Sequence, residues 1–461
     1  MKTIETAVGA LADALWGNWL LFVLLGLGIW CTVLTGFVQV RRLPFLLRSL
    51  ASSRKQDAGE GRLSSLQALL TAISSCVGSG NIVGVSTAIL SGGPGALFWM
   101  WVAAFFGMAT KFCEIVLGMC YQGKDRDGNV IGGPMYYISH ALHTTAAGVL
   151  VALLLFVQNA GGTLIQSNTI SSVVNQSFGL APLFTGIFLA LVMTFIISGG
   201  LRRLVKVAQF VAPFMALLYV AGGLIVILAN APRIPWMFGQ ILGGAFHPQA
   251  ALGAAAGLTV RDAMRYGVAR GLYSNEAGEG SAAVLHAGAD VDHPVRQGIY
   301  GIAEVFVDTM VICSTTGFAV VITGATSLDS NAATLAASAF GTVLPLFSRV
   351  VPVCLVLFAG TSLMSQWYFG HVSLNYLGKP RAAFVYRLLS PLMILLGSLS
   401  TVDLVWSIQD CALGLLIIPN VIALLLLSPQ VRRLTREFFD PNNSFIHKQE
   451  TRTAGSKGED L

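Results

Sequence analysis

The sequence predicts an all-α membrane protein, on three observations. Hydrophobic residues make up 54% of the 461-residue chain and charged residues 11%, against roughly 25% charged in a soluble domain, and the mean hydropathy is +0.71. Apolar stretches of about 20 residues, long enough to cross a hydrocarbon core, recur along the chain. Two of these stretches are interrupted at their centres by glycines, hydroxyls, an amide and carboxylates, which a continuous span has no reason to carry.

Eleven spans are expected, at 17–38, 64–90, 95–120, 148–170, 182–200, 208–230, 260–288, 298–325, 349–377, 382–400 and 404–427. The first apolar run lacks a basic leader and is followed by Arg41-Arg42, so it reads as a retained helix, not a cleaved signal. Setting it aside with its loop (1–63) leaves ten spans in two halves, 64–230 and 260–427. Each half opens with a broken helix. Five spans per half is odd, so the halves run in opposite senses, as inverted repeats must. Residues 231–259 are too short and interrupted to span and read as an extracellular or re-entrant hairpin, and 327–347 reads likewise. The tail, 428–461, is expected as a short cytoplasmic helix followed by disorder around Pro441-Asn442-Asn443.

Orientation follows from the Lys/Arg bias. Arg41, Arg42, Arg48, Arg54, Lys55 and Arg62 share one side with Lys124, Arg126, Arg202, Arg203, Lys206, Arg296, Lys379, Arg381 and the basic tail. The other side has little beyond Lys2, Arg233, Arg261, Arg265 and Arg349. The bias puts the N-terminus outside and the C-terminus in the cytoplasm. It also accounts for the net charge of +6 without a nucleic-acid partner. The seven cysteines show no CxxC spacing, so neither a disulfide framework nor a zinc site is indicated.

The two interruptions carry the chemistry. The first span holds Ser74-Ser75-Cys76-Val77-Gly78-Ser79-Gly80-Asn81. Unwinding there frees amides that attract a carboxylate and carbonyls that are hard donors for an alkali cation or an ammonium group. The alternative is a glycine-rich packing face. The second span holds Ser274-Asn275-Glu276-Ala277-Gly278-Glu279-Gly280-Ser281. Paired interruptions in corresponding positions of two halves point to a secondary transporter's binding site. Asp308 is a lone carboxylate within an apolar span, a functional position by default, though a backbone donor alone would also satisfy it. Glu304, one turn earlier, reads as structural, and Glu276 as a brace for the break. Thr361 and Ser362 form a hydroxyl pair that either serves a ligand or bonds the carbonyl one turn back. Gln158, Asn159, Gln166 and Asn168 decorate one helix, for a ligand or for interhelical bonds. Tyr273 and Trp367 are candidate gates or pocket walls.

The chain resembles the alanine/glycine:cation symporter family. The resemblance rests on Gly-Ser-Gly-Asn-Ile at 78–82, Gly-Gly-Pro-Gly-Ala-Leu-Phe-Trp-Met-Trp at 92–101, Gly107-Met108-Ala109-Thr110-Lys111-Phe112, Gly132-Gly133-Pro134, Ser274-Asn275-Glu276-Ala277-Gly278 and Asp308-Thr309. Glu279 departs from it, where the family usually has an apolar residue. The resemblance implies a leucine-transporter-type fold with one extra N-terminal helix, and cation-driven uptake of small neutral amino acids such as alanine, glycine or D-alanine. It implies a substrate set of Ser75, Gly78, Ser79, Gly80, Gln166, Tyr273 and Asn275. It implies one sodium site from the carbonyls of Ser74 and Val77 with Thr361 and Ser362, and a second from Asn81, Ser274 and Asp308. The expected ligands are thus Na+ as coupling ion, the amino acid and the lipid of a bacterial inner membrane, with no organic cofactor. A proton-coupled carrier or exchanger on the same fold is the alternative, with Glu279 or Asp308 titrating. No HExxH, GxSxG or paired aspartates support an intramembrane enzyme, and paired broken helices argue against a channel.

Overall fold

The computed structural model describes residues 2–52, 62–124, 130–247, 259–400 and 403–440. Helices α1 (Lys2–Leu15) and α2 (Asn18–Leu34) form the N-terminal element, followed by short helices α3 (Val38–Arg41) and α4 (Leu43–Ser52). The loop expected at 39–63 is therefore partly helical.

The first broken span is α5 (Ser65–Cys76) and α6 (Val83–Gly92), joined through a 3-10 turn at Ser79–Asn81 and bent by 61°. A capping box starts α5: Ser64 Oγ accepts from the Gln67 amide and Gln67 Oε1 from the Ser64 amide, at 3.2 and 2.9 Å, answering two of the helix's orphan donors. Next come α7 (Ala96–Cys120), a two-stranded antiparallel ribbon pairing β1 (Gly123–Lys124) with β2 (Val130–Ile131), α8 (Pro134–Ala141), α9 (Thr145–Phe178), α10 (Pro182–Ser198) and α11 (Gly200–Ala229).

In the second half, α12 (Ile234–Phe246) precedes the broken pair α13 (Val260–Asn275) and α14 (Ala282–His286). Then α15 (Pro294–Val305) runs through a π-helical segment, Phe306–Cys313, into α16 (Ser314–Thr323). The chain ends with α17 (Leu335–Gly341), α18 (Phe347–Tyr376), α19 (Pro380–Leu399) and α20 (Asp403–Phe438).

Among the described residues, eight helices are long and apolar enough to cross a membrane, or nine if α5 and α6 count as one span. The two expected spans outside that set are α10, apolar but of 17 residues, and the α13–α14 pair, whose first member carries Arg261, Asp262, Arg265 and Arg270. Residues 234–246, within the expected hairpin, form one helix, and 248–258 lie outside the described residues. The 327–347 segment carries α17. The helix of the tail is a continuation of the last span, since α20 runs unbroken past Ser428; residues 441–461 lie outside the described residues.

The core has two centres. Helix α9 packs along α18, α19 and α20, and α7 along α13 and α15. The glycine string before α7 permits one close approach: a Cβ on Gly95 would lie 2.1 Å from the carbonyl carbon of Gly244. That seats α12 on the start of α7, where the Trp99 indole donates to the Ala245 carbonyl at 3.2 Å. Leu63, just before α5, and Ala289, just after α14, form an isolated parallel bridge with bonds of 2.9 and 2.8 Å, so the segments flanking the two broken helices are tied together.

Candidate functional site

The first break is held open by one side chain. Asn81 Oδ1 accepts from the Gly78 amide at 2.8 Å, and its Nδ2 donates to Asp308 Oδ1 at 2.6 Å. Ser274 Oγ donates to both carboxylate oxygens, at 3.1 and 3.0 Å, and Thr309 Oγ1 to Oδ2 at 2.8 Å. Asn81, Ser274 and Asp308, 34 to 227 residues apart in the chain, thus meet at one buried point. The π segment makes this geometry, since a π turn re-aims side chains and recurs at functional sites. No sequence signal announces it. Every donor to Asp308 here is neutral, and among the described residues no ion pair involves this carboxylate.

Ser362 faces the same break. Its Oγ donates to the Ser75 carbonyl at 2.8 Å and contacts the Phe358 carbonyl one turn back at 3.3 Å. Thr361 does not join it: its hydroxyl donates to Phe358 O at 2.9 Å and lies 3.8 Å from Met215 Sδ. The two hydroxyls thus share the Phe358 carbonyl, and that of Ser362 also reaches the Ser75 carbonyl at the break. The carbonyl that Ser362 reaches is that of Ser75, while Ser74 Oγ donates to Thr71 O at 2.7 Å. Val77 caps α5 in an extended conformation.

Gly78 is obligatory through contact rather than dihedral angle: a Cβ there would sit 2.5 Å from Ser362 Oγ and 3.5 Å from Gln166 Nε2. Gln166 is 5% exposed, and its Oε1 has no hydrogen-bond partner among the described residues. Ser365 Oγ, one turn after Ser362 and missed by sequence reasoning, is likewise buried without a partner. Asn168, by contrast, bonds the Gly397 and Ser400 carbonyls at 3.1 and 2.7 Å, and Asn159 the Leu155 carbonyl at 2.7 Å; both serve helix packing.

A cavity of about 140 Å³ opens beside the break, lined by Ser79, Gly80, Thr87, Arg270, Tyr273 and Trp406 among others. It is well below the roughly 300–1,000 Å³ of drug-sized pockets, so it suits a small solute. The Tyr273 and Trp406 rings lie 6.0 Å apart at its wall. Asn275 is corrected as a pocket residue: its Nδ2 donates to Thr309 Oγ1 at 3.2 Å and its Oδ1 accepts from the Ala277 amide at 3.1 Å. Trp367 lies elsewhere, stacked on His371 at 5.3 Å.

The second break is braced in part by Glu114 and Asn420, which the sequence does not single out. Glu114 Oε1 accepts from the amides of Gly278 and Gly280 at 3.1 and 2.9 Å and from Asn420 Nδ2 at 2.7 Å. Both glycines have positive φ, +100° and +79°, which side chains with a Cβ rarely adopt. Lys111 Nζ donates to the Asn275 carbonyl at 2.8 Å and pairs with Glu304 at 3.0 Å, and His286 contacts the other Glu304 oxygen at 3.1 Å. Glu304 thus links Lys111 and His286 inside the bundle. Glu276 caps α13 in a left-handed conformation and accepts from Ser281 Oγ at 2.6 Å. Glu279 accepts from Gln158 at 3.1 Å.

Discontinuous helices meeting around a buried polar centre and a small cavity, within a bundle of long apolar helices, define a multi-pass membrane transporter. Residues 1–452 match the sodium:alanine symporter family, and the chain belongs to it. It is 38% identical to the sodium/alanine symporter AgcS of Methanococcus maripaludis, over 97% of this chain and 99% of that one. It is 36% identical to a putative sodium/proton-dependent alanine carrier, YrbD, of Bacillus subtilis, over 91% and 90%. A probable sodium/glutamine symporter, GlnT, of the same bacterium is also 36% identical, over 95% and 91%. Among solved structures, a mutant manganese transporter of Eremococcus coleocola superposes with a TM-score of 0.50 at 10% identity, covering 87% of this chain and 94% of that one. That likeness concerns the fold alone. Among the described residues no group of three or more His, Cys, Asp and Glu side chains is gathered for a metal ion.

Proposed function

We propose that the protein imports a small neutral amino acid, glycine or the L- or D-form of alanine, together with sodium by alternating access. The observation that carries this reading is Asp308, a fully buried carboxylate held by neutral donors next to an unwound helix. A buried charge is costly without a counter-charge or a proton, and a monovalent cation supplies the missing charge. Ser274 and Thr309 bring hydroxyl oxygens to the same point, and Asn81 its amide nitrogen. Ser362 with the carbonyls around Ser74, Ser75 and Val77 forms a second oxygen-rich position, and Thr361 contributes less.

The substrate carboxylate is assigned to the amides of Ser79 and Gly80, with the unpartnered Gln166 Oε1 receiving the ammonium group and Tyr273 closing the cavity. The cavity's size argues for alanine or glycine over glutamine, which the name of one relative invokes. The residues at 64–230 and 260–427 act as inverted repeats, each opening with a broken helix. Residues 1–63 add a helix, 231–259 link the halves, and 428–461 form the tail. Eleven spans put the N-terminus outside and the C-terminus in the cytoplasm of a bacterial inner membrane.

One observation favours a second reading. Glu279, 5% exposed and bonded by the Gln158 amide, is suited to carry a proton, and the name of one relative, YrbD, includes proton dependence. Binding of labelled alanine to purified protein separates the two. Sodium-dependent binding that changes little between pH 6 and pH 8 supports sodium coupling, whereas sodium-independent binding that follows pH and is altered in Glu279→Gln supports the proton.

A further inference from the structure

A second cavity, of about 400 Å³, lies between the end of α2 and the end of α20, away from both breaks. Four arginines line it: Arg41 and Arg42 beside α2, and Arg432 and Arg436 on one face of α20. Asp440 is the acidic residue on its wall, so four guanidinium groups face one carboxylate. Among the described residues none of the four arginines enters an ion pair. Arg42 is fixed by stacking over the Phe439 ring at 3.9 Å. The Thr35 and Thr435 hydroxyls on the wall donate to their own helix carbonyls, both at 2.7 Å, so recognition falls to the arginines.

Converging guanidinium groups match the geometry of a phosphate, whose oxygens accept paired N–H bonds. The surroundings choose between a soluble and a lipid phosphate. The cavity sits where the apolar segment Thr6–Leu34 ends, at headgroup depth. Val33 on its wall is 61% exposed, and Phe37 and Val40, next to the lining residues in the chain, are 47% and 54% exposed. A soluble anion gains nothing from such apolar surface, whereas acyl chains lie against it, and basic pockets between helices at this depth are suited to anionic headgroups. We propose that this pocket binds the phosphate of an anionic phospholipid, which ties the N-terminal helix to the last helix.

The test uses the full-length purified protein in detergent, with thermal unfolding and native mass spectrometry of retained lipid as readouts. The probes are phosphatidylglycerol, phosphatidylcholine with the same acyl chains, and inorganic phosphate. Phosphatidylglycerol is expected to raise Tm and to be retained, and phosphatidylcholine to do neither. Each of Arg432→Gln and Arg436→Gln, at exposed positions, should weaken phosphatidylglycerol binding about fivefold, the loss of one basic contact near an anionic surface, and the double variant should lose it. Arg381→Gln, at the start of α19 and outside the pocket, should bind as the unaltered protein does. Undiminished retention by the double variant would remove the site, and equal stabilisation by phosphatidylcholine would remove the role of charge. Full stabilisation by inorganic phosphate alone would overturn the lipid assignment.

Discussion

At the residue scale, the first break separates two glycines that look alike in the sequence. A Cβ on Gly78 would meet Ser362 Oγ at 2.5 Å, whereas on Gly80 it would find Ser274 and Tyr273 atoms at 3.5 Å, ordinary contact. Gly78→Ala is therefore expected to reduce alanine binding at least about tenfold, the effect of displacing a contact worth ~1.4 kcal/mol, with Gly80→Ala near the unaltered protein; equilibrium binding checks both. Gly80→Leu fills the approach to the backbone and should abolish binding in a folded protein. Ser362→Ala should raise the sodium concentration required for half-maximal uptake more than Thr361→Ala, because Ser362 reaches the Ser75 carbonyl and Thr361 turns toward Met215. Equal effects would mean that both hydroxyls serve the same ligand. The Gly-Ser-Gly-Asn string was legible because glycines and an amide have no reason to sit mid-span. The different reach of the two hydroxyls, with Ser362 on the Ser75 carbonyl, was not legible, because adjacent hydroxyls look alike in a sequence.

At the element scale, the broken helices depend on groups far away in sequence. Glu114→Ala would leave the Gly278 and Gly280 amides without their acceptor and the Asn420 amide with the Gly278 carbonyl alone. Each unsatisfied buried group costs about 1–3 kcal/mol, so a clear fall in Tm is expected, with Glu114→Gln milder because it keeps an acceptor oxygen. A Tm in Glu114→Ala equal to that of the unaltered protein would show that the brace is dispensable. Breaking the buried pair by Lys111→Met should destabilise by roughly 3–5 kcal/mol, since Glu304 would lose its lysine partner and be left with the His286 contact alone. The α16–α17 loop gives a pH signature. Burial raises the Asp329 carboxyl, but bonds from Thr334, the Asn331 amide and Ser338 outweigh it, so its pKa is lowered. A group depressed on folding adds stability above its unfolded pKa, about 3.9, and loses it as pH falls through the folded value. Hydrogen exchange of 325–341, corrected for intrinsic rates, should lose protection below about pH 4, and Asp329→Asn should lack that transition. The apolar spans were readable from composition alone. The π segment, α12 and the Glu114 and Lys111 braces were not, because their partners are brought together by packing between helices that the sequence keeps apart.

At the scale of the whole molecule, α5–α6 and α13–α14 are each already interrupted, so either half can turn at its break without unwinding a continuous helix. The Leu63–Ala289 bridge joins their outer ends, so movement of one broken helix is coupled mechanically to the other. Sodium coupling follows from Asp308 if that carboxylate stays charged through the cycle, and proton coupling follows if it does not. Uptake of labelled alanine into proteoliposomes, driven in turn by a sodium gradient and by a pH gradient, tests this most directly when Asp308→Asn is measured beside the unaltered protein. Sodium-driven accumulation in the unaltered protein, impaired in Asp308→Asn and changing little with external pH, is the expected result. Accumulation driven by the pH gradient without sodium, and lost in Asp308→Asn, would contradict it and make the proton the coupling ion.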